Sequence, residues 1–226
     1  KILDEVEPEI KRSVSKFDVV SVRELNSVEL LKPYTKYKPV VVVDPTLLLN
    51  SDDWESIFPP TGKASKEDYV FGLFIEGNFD HLHATKTFAD QHKLKYVFIP
   101  YSGMSYYQKG ERHADAGLED LLELIRNARY IITDSFHITV FSIIHRKQFY
   151  SFMRYRDNPT TCTNSRIQNL LRMTGLESRG LKFGTRTIKN LPDIDYAPHV
   201  EMLQREIEKS KRFLETSIRG EYEGEM

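Results

Sequence analysis

A polar turn between an apolar run and a helix-like segment is the feature most suggestive of chemistry. A predicted strand ends at Thr133, Asp134 and Ser135 follow, and a helix is predicted to begin near Phe136. Asp and Ser are favoured at helix starts because their oxygens accept hydrogen bonds from unpaired backbone N–H groups. Those N–H groups and the helix dipole also attract phosphate and carboxylate groups. His137 would lie in the first turn, beside any bound anion, although a plain helix cap explains Ser135 as well.

A second candidate is Arg23, which also follows a predicted strand. A guanidinium group binds phosphate or carboxylate through two parallel hydrogen bonds. The competing interpretation of Arg23 is an ion pair with a nearby acid. His81 and His83 are spaced like a metal pair, but no third ligand is evident. We therefore predict no metal site.

The composition excludes several classes of function. The chain has 226 residues, with 32 Lys and Arg against 33 Asp and Glu and a formal net charge of −1. Such a balance gives no global basic field for nucleic acid or an anionic membrane, so we predict no nucleic-acid partner. No apolar run reaches the roughly 18 residues of a membrane span. We expect no transmembrane segment, and no signal peptide follows Lys1.

A single cysteine, Cys162, excludes an internal disulfide and any CxxC metal site. This cysteine usage agrees with a reducing compartment. We therefore expect a cytoplasmic protein.

Apolar runs that alternate with amphipathic segments predict an α/β fold. The alternation is typical of βαβ units with a parallel sheet. A short run at residues 39–43 predicts a strand buried on both faces. Residues 51–65, which are rich in Pro and polar side chains, predict a linker. The clearest strands are predicted over residues 69–75, 96–99, 130–133 and 148–152.

Several blocks of the chain, taken in order, resemble polysaccharide pyruvyl transferases. The main block extends from Asp115 through the polar turn to Ile144. The flanking blocks are Ser21–Glu24 with Val43–Leu48, and Ser165–Leu171 with Gly175–Arg179. Each block is weak alone, but together they span most of residues 17–179.

The resemblance implies a GT-B-like α/β fold, with a Rossmann-type parallel sheet in the C-terminal domain and the end of a preceding N-terminal Rossmann-like domain. The donor would bind in the cleft between the two domains. We expect an upstream domain before Lys1. The implied division is residues 1–50 as the C-terminal part of the N-terminal domain, 51–65 as linker, 66–195 as the C-terminal domain, and 196–226 as a helix packing back toward the N-terminal domain.

The resemblance also implies an activity. The protein would move the pyruvyl group of phosphoenolpyruvate onto a sugar of a cell-surface polysaccharide or exopolysaccharide, as a ketal. Phosphoenolpyruvate would be the donor substrate, and no cofactor would be required. The predicted partners are this donor, a glycan or lipid-linked saccharide acceptor and, by peripheral association, a polysaccharide-synthesis complex.

The same resemblance makes Arg23, Ser135, Phe136 and His137 the expected donor contacts. His137 is the catalytic candidate, since histidine can act at neutral pH as a proton donor or as a cationic phosphate ligand. The family usually has Gly after this histidine, whereas Ile138 stands here. A branched side chain at that point would crowd the start of the helix and weaken donor binding.

Two other functions remain open from the sequence. A GT-B glycosyltransferase with a nucleotide sugar would use the same helix start for the diphosphate. A non-catalytic domain of a polysaccharide-synthesis complex is favoured by Ile138, if that residue impairs the donor site.

Overall fold

The structure, a computed structural model, describes residues 5–64, 67–76, 78–156 and 164–224. Its contacts divide the chain into two compact units, one formed by the described residues up to Leu48 together with those from Val200 on, and the other by Leu49–His199. Cys162 lies outside the described residues. In chain order the main elements are α1 (Glu7–Val14), β1 (Ser21–Val22), α2 (Leu25–Leu31), β2 (Val40–Val41), α3 (Ser51–Ile57), β3 (Tyr69–Leu73), α4 (Phe79–Gln91), β4 (Lys95–Phe98), β5 (Glu111–Arg112), α5 (Leu118–Asn127), β6 (Tyr130–Thr133), α6 (Phe136–Ile144), β7 (Gln148–Phe152), α7 (Ser165–Met173), β8 (Gly180–Leu181) and α8 (Ala197–Arg219).

The first unit contains a small parallel pair, β1 and β2, in which Ser21 lies opposite Val40 and Val22 opposite Val41. α8 belongs to this unit from Val200 on, and its Ser210 hydroxyl accepts the Val43 N–H at 3.0 Å. The strand predicted over residues 39–43 is shorter than expected, and both of its residues are only partly buried. The prediction of burial on both faces was therefore wrong for β2.

The second unit is built on a parallel sheet whose six strands, among the described residues, run in the order β5-β4-β3-β6-β7-β8. Numbered within this unit alone, the order is 3-2-1-4-5-6, which is that of a dinucleotide-binding Rossmann fold. The predicted α/β class and the four predicted strands are confirmed. The observed strands are Tyr69–Leu73, Lys95–Phe98, Tyr130–Thr133 and Gln148–Phe152.

The core of the second unit follows from the composition of its central strands. Every residue of β3 and β6 is buried, and so is β7 except for its first residue. Strands covered on both faces lack the alternation of half-exposed strands and appear as continuous apolar runs. That is why these strands were recognisable in the sequence. Among the described residues, no helix combines the length and the apolar character needed to cross a bilayer.

The segment predicted as a linker, residues 51–65, contains helix α3. The Asn50 side chain caps this helix by accepting the N–H groups of Asp52 and Asp53, and the Asp53 carboxylate accepts the Asn50 N–H at 3.0 Å. Trp54 packs edge-on against Phe141 of α6, with ring centroids 5.1 Å apart. The aromatic anchor and the capping box explain why a polar, Pro-containing segment is ordered here.

After α3, the chain is held by two acids of α5. Glu123 is buried and accepts the backbone N–H groups of Thr61, Gly62 and Lys63 at 2.8, 3.1 and 3.2 Å. Asp120 accepts the Thr61 hydroxyl at 2.7 Å and the Lys63 ammonium at 2.9 Å. The hydrogen bonds from Thr61 and Lys63 lower the pKa of Asp120 to about 2.

We predict that Asp120→Asn destabilises the second unit in a pH-dependent way. The folded-state pKa of Asp120 lies below the unfolded value of about 3.9, so its stabilisation is present above that value and lost as the pH falls toward 2. Loss of hydrogen bonds to a buried carboxylate should cost about 1–3 kcal/mol at pH 7. Urea denaturation of both proteins at pH 7 and at pH 3 measures the difference.

Glu119→Gln is the matched control, because Glu119 is exposed on the same helix. It should change the free energy of unfolding by less than about 0.5 kcal/mol. A difference between wild type and Asp120→Asn that is as large at pH 3 as at pH 7 would contradict the prediction.

Candidate functional site

The strand order predicts a ligand-binding crevice at the carboxyl edge of the second unit. In an open α/β sheet, ligands bind outside the carboxyl ends of the strands where the order reverses. Here that point lies between β3 and β6, which pair in register from Val70 opposite Tyr130 to Leu73 opposite Thr133. The segments that follow these two strands are Phe74–Glu76 and Asp134–His137. The turn selected from the sequence therefore lies at the switch point of the sheet.

Asp134 joins the two strand ends. Its carboxylate accepts the Ile75 N–H at 2.7 Å and the Glu76 N–H at 3.3 Å, and the residue is fully buried. Burial raises the pKa of Asp134, while the two N–H donors and the Arg154 guanidinium oppose that rise. Asp134 is thus a bridge between β3 and β6 rather than part of a helix cap.

Ser135 occupies the cap position of α6 with extended backbone, but its side chain makes no capping hydrogen bond. Its N–H donates to the Thr133 hydroxyl at 3.0 Å, and its carbonyl accepts the Thr139 hydroxyl at 2.9 Å. The backbone is therefore fixed from both sides. The Ser135 hydroxyl does not cap the helix, whereas the alternative interpretation from the sequence had assumed that it does.

Phe136 and His137 form the first turn of α6. Phe136 is partly buried and His137 is exposed. Their rings meet edge to face, with centroids 5.3 Å apart. The imidazole thus lies at the start of an α-helix, on a side that solvent and ligands can reach.

Arg154, which follows β7 at the same edge, was not predicted from the sequence. Its Nη2 donates to the Asp134 carbonyl oxygen at 3.2 Å, so the guanidinium touches the peptide that joins Asp134 to Ser135. Its Nε is buried and has no hydrogen-bond partner among the described residues. The rule that ligands bind after parallel strands would have indicated Arg154 if it had been applied to the strand predicted over 148–152.

Two neighbours hold the segment around Arg154 in place. The Tyr155 hydroxyl donates to the Glu76 carboxylate at 2.5 Å, and this hydrogen bond raises the pKa of Tyr155. The buried side chain of Asn164 accepts the Tyr155 N–H at 3.1 Å and donates to its carbonyl at 2.8 Å. The segments that follow β3, β6 and β7 are therefore tied together by specific hydrogen bonds.

Arg23 lies in the first unit, immediately after β1. Because β1 and β2 are parallel, the residues that follow them share one edge, and Arg23 forms an ion pair with Asp44. Burial alone would raise the pKa of Asp44, but hydrogen bonds from Thr46 and Arg23 outweigh burial and lower it. The ion pair foreseen as the alternative for Arg23 is thus present, and it joins two of the blocks that carried the family resemblance.

Ile138 points away from the exposed start of α6. Its side chain is only 3% exposed, and its carbonyl accepts the Ser142 hydroxyl at 2.7 Å. The branched side chain is therefore part of the core. The expected crowding of the anion site by Ile138 finds no support in this arrangement.

The two histidines that resembled a metal pair have different environments. His81 is buried, stacks on Phe152 with centroids 4.1 Å apart, and has its pKa lowered to about 4 by burial. His83, two residues later on the same helix, is exposed and stacks on Phe79. In the part of the chain that the structure describes, no three His, Cys, Asp or Glu side chains gather to hold a metal ion.

A family model described as polysaccharide pyruvyl transferase matches residues 3–155. The matched segment covers more than half of the chain and includes β1, β2, the polar turn and Arg154. A comparison with curated protein sequences finds no significant match.

Solved structures with similar folds include an epimerase, a polymerase and a glycosyltransferase, all of low identity. The UDP-GlcNAc 2-epimerase of Methanocaldococcus jannaschii has a TM-score of 0.48 at 12% identity, over 83% of this chain and 60% of that chain. The wall teichoic acid polymerase TagF has a TM-score of 0.45 at 13% identity, over 93% of this chain and 55% of that chain. The glycosyltransferase SnogD of Streptomyces nogalater has a TM-score of 0.40 at 13% identity, over 88% of this chain and 56% of that chain. The chain thus spans between 55% and 60% of the length of these proteins, and the fold assignment rests on the strand order.

We predict that Asp134→Asn loosens the edge between β3 and β6. An amide offers one acceptor oxygen and directs N–H donors at the second site, so at least one buried backbone N–H loses its partner. The expected cost is about 1–3 kcal/mol of unfolding free energy. Amide hydrogen exchange at Ile75 and Glu76 should accelerate in the variant. The bridge would be refuted if amide exchange at Ile75 and Glu76 stayed unchanged. It would also be refuted if the exposed control Asp193→Asn accelerated that exchange equally.

We predict that Ile138→Ala destabilises the protein without strengthening donor binding. Removing a buried Ile side chain should cost about 2–5 kcal/mol, while Leu118→Ala, at a residue 43% exposed, should cost much less. Urea denaturation measures both variants, and calorimetry with phosphoenolpyruvate measures affinity. A clear gain in affinity would mean that Ile138 does crowd the anion site.

Proposed function

This chain belongs to the polysaccharide pyruvyl transferase family, and we propose that it transfers the pyruvyl group of phosphoenolpyruvate to a pair of sugar hydroxyls. The observation that carries the proposal is the position of the Ser135–His137 turn at the switch point of the sheet, with Arg154 against its backbone. Anionic ligands are expected at that position of such a fold. The family supports a saccharide acceptor, and we propose a glycan or lipid-linked saccharide of a cell-surface polysaccharide.

The donor is strongly anionic, and the turn offers matching groups. Phosphoenolpyruvate carries a carboxylate and a phosphate ester, the latter with about −1.5 to −2 charges at neutral pH. The start of α6 contributes the positive end of a helix dipole. Arg154 contributes a guanidinium whose Nε has no hydrogen-bond partner among the described residues. Ser135 contributes a hydroxyl that makes no capping bond.

The reaction needs one proton delivered to the methylene carbon of the donor and the C2–O bond to its phosphate broken. Protonation of the donor's methylene carbon makes C2 electrophilic, and a sugar hydroxyl adds there. The C2–O bond to phosphate then breaks, a second hydroxyl closes the ketal, and the two hydroxyl protons balance the methyl group and the hydrogen phosphate. The carboxylate is retained, and neither an oxidant nor a cofactor is consumed.

His137 is the proposed catalytic residue, with two chemical roles to separate. As a general acid it would protonate the methylene carbon, and its removal would lower kcat by about 10²–10⁴-fold. As a cationic ligand it would hold the phosphate, and its removal would raise the KM for phosphoenolpyruvate. Phe136 is proposed to orient the imidazole through the edge-to-face contact between their rings.

Arg23 is proposed as a further donor ligand on the basis of the family motif. Its ion pair with Asp44 fixes the guanidinium at the edge of β1 and β2. The side chain of Ile138 lies in the core, which supports a donor site that this side chain does not fill.

The test is phosphate release from phosphoenolpyruvate with a panel of candidate glycans, in the full-length protein. Arg154→Ala should raise the KM for phosphoenolpyruvate about tenfold or more, because hydrogen bonds to charged groups contribute about 1.5–3 kcal/mol. Arg154→Lys should restore part of this loss, since charge is kept but the planar fork is not. His137→Ala and Arg23→Ala should each lower kcat/KM.

His83→Ala is the matched control, because it removes an exposed histidine that lies outside the turn. It should leave kcat and KM unchanged. Full turnover in both His137→Ala and Arg154→Ala would eliminate the turn as the donor site, and full turnover in Arg23→Ala would eliminate Arg23 as a donor ligand.

A further inference from the structure

A second concave surface lies beside the proposed donor site, at the carboxyl ends of β7 and β8. It is a cleft of about 770 Å³, within the range of about 300–1,000 Å³ typical of small-molecule sites. The segments after the two strands, the start of α4 and one face of α7 form its walls. None of Ser135, Phe136 and His137 lines it. The cleft is therefore distinct from the turn at the switch point.

The charged side chains of this cleft are mostly cationic. Its cations are Arg156, Arg172, Lys182 and Arg186, against the carboxylates of Asp80 and Glu177. Asp80 is already paired with Arg186, at 3.0 Å. Within the described part of the chain, Arg156, Arg172 and Lys182 form no ion pair. Four cations in one concave surface stand out in a protein whose formal net charge is −1.

The cationic loop after β8, residues 182–186, is held by side chains from the start of α4. The Gly184 N–H donates to Nε2 of the buried His81 at 3.2 Å. Asp80, one residue earlier on α4, holds Arg186, and the Thr185 hydroxyl donates to the Lys182 carbonyl at 2.8 Å. A loop fixed at three points presents its side chains at low entropic cost on binding.

Phe183 supplies an apolar face among these cations. It lines the cleft, is partly buried, and meets the His81 ring edge-on with centroids 5.5 Å apart. The Arg156 guanidinium lies 5.8 Å from its ring centroid. An aromatic face next to guanidinium groups suits a ligand with both an apolar ring face and an anionic group. A sugar that carries a phosphate or a carboxylate has this combination.

We propose that this cleft binds the anionic group of the saccharide acceptor. The proposal rests on the proposed function, since it assigns a site and a charge to that acceptor. Arg156, Arg172 and Lys182 would hold the phosphate or carboxylate, and Phe183 would contact the C–H face of the sugar ring. Nearby Met153 and Leu171 give the cleft an apolar floor that favours a ring over a bare ion.

The experiment is a titration of the isotope-labelled whole chain, followed by the amide signals of residues 180–186. The ligands are glucose 6-phosphate, glucuronate, methyl glucoside and inorganic phosphate. We expect both anionic sugars to shift these signals, with methyl glucoside and inorganic phosphate at least about tenfold weaker. The stronger of the two sugars identifies phosphate or carboxylate as the preferred group.

Two exposed cations test the assignment without threatening the fold. Lys182→Gln and Arg172→Gln should each weaken the anionic sugar by about tenfold, the loss expected for one charge-assisted hydrogen bond. Lys189→Gln is the matched control, since Lys189 is exposed in the same segment but does not line the cleft. Equal weakening by Lys189→Gln would overturn the proposal.

Other results would overturn it as well. Equal binding of methyl glucoside would exclude charge recognition, and equal binding of inorganic phosphate would indicate an ion site without a saccharide. Displacement of the anionic sugar by phosphoenolpyruvate would make the cleft a donor site. Calorimetry with phosphoenolpyruvate on the same samples keeps the two questions apart. If the donor fails to bind while the anionic sugar binds the cleft, the proposed function fails and the saccharide site stands.

Discussion

The carboxylate of Asp134 holds together the carboxyl edge of the second unit. It is fully buried and accepts two backbone N–H groups from the segment after β3, while it belongs to the segment after β6. A buried carboxylate is costly unless donors and positive charge surround it. Here the donors are the N–H groups of Ile75 and Glu76, and the charge is that of Arg154. Strand ends, turn and guanidinium therefore depend on one another.

This dependence explains why some features were predictable from the sequence and others were not. The central strands were recognisable because both faces are covered, so that β6 and β7 are almost wholly buried. The polar turn was recognisable because a polar pair follows such a run. Only the position of Arg154 after a predicted strand could have indicated it, because its contact with a peptide twenty residues earlier in the chain leaves no trace in the neighbouring sequence.

The remaining differences have the same origin in tertiary contacts. Residues 51–65 have the composition of a linker, yet Trp54 packs against Phe141, and acids of α5 bind the backbone after α3. Ile138 departs from the family pattern in sequence, yet its side chain is in the core. Composition and motif describe what a residue can do, whereas the direction of its side chain decides what it does.

The net charge of −1 conceals an uneven use of charge. Several acidic side chains are buried inside the fold, where Asp134 and Glu123 accept backbone N–H groups of turns. Cations remain at the carboxyl edge, in Arg154 and in the cleft beside β8. Backbone turns need acceptors that a carboxylate supplies, and anionic substrates need donors that a guanidinium supplies. An almost neutral chain can therefore present a cationic edge while some of its acids are buried as structural acceptors.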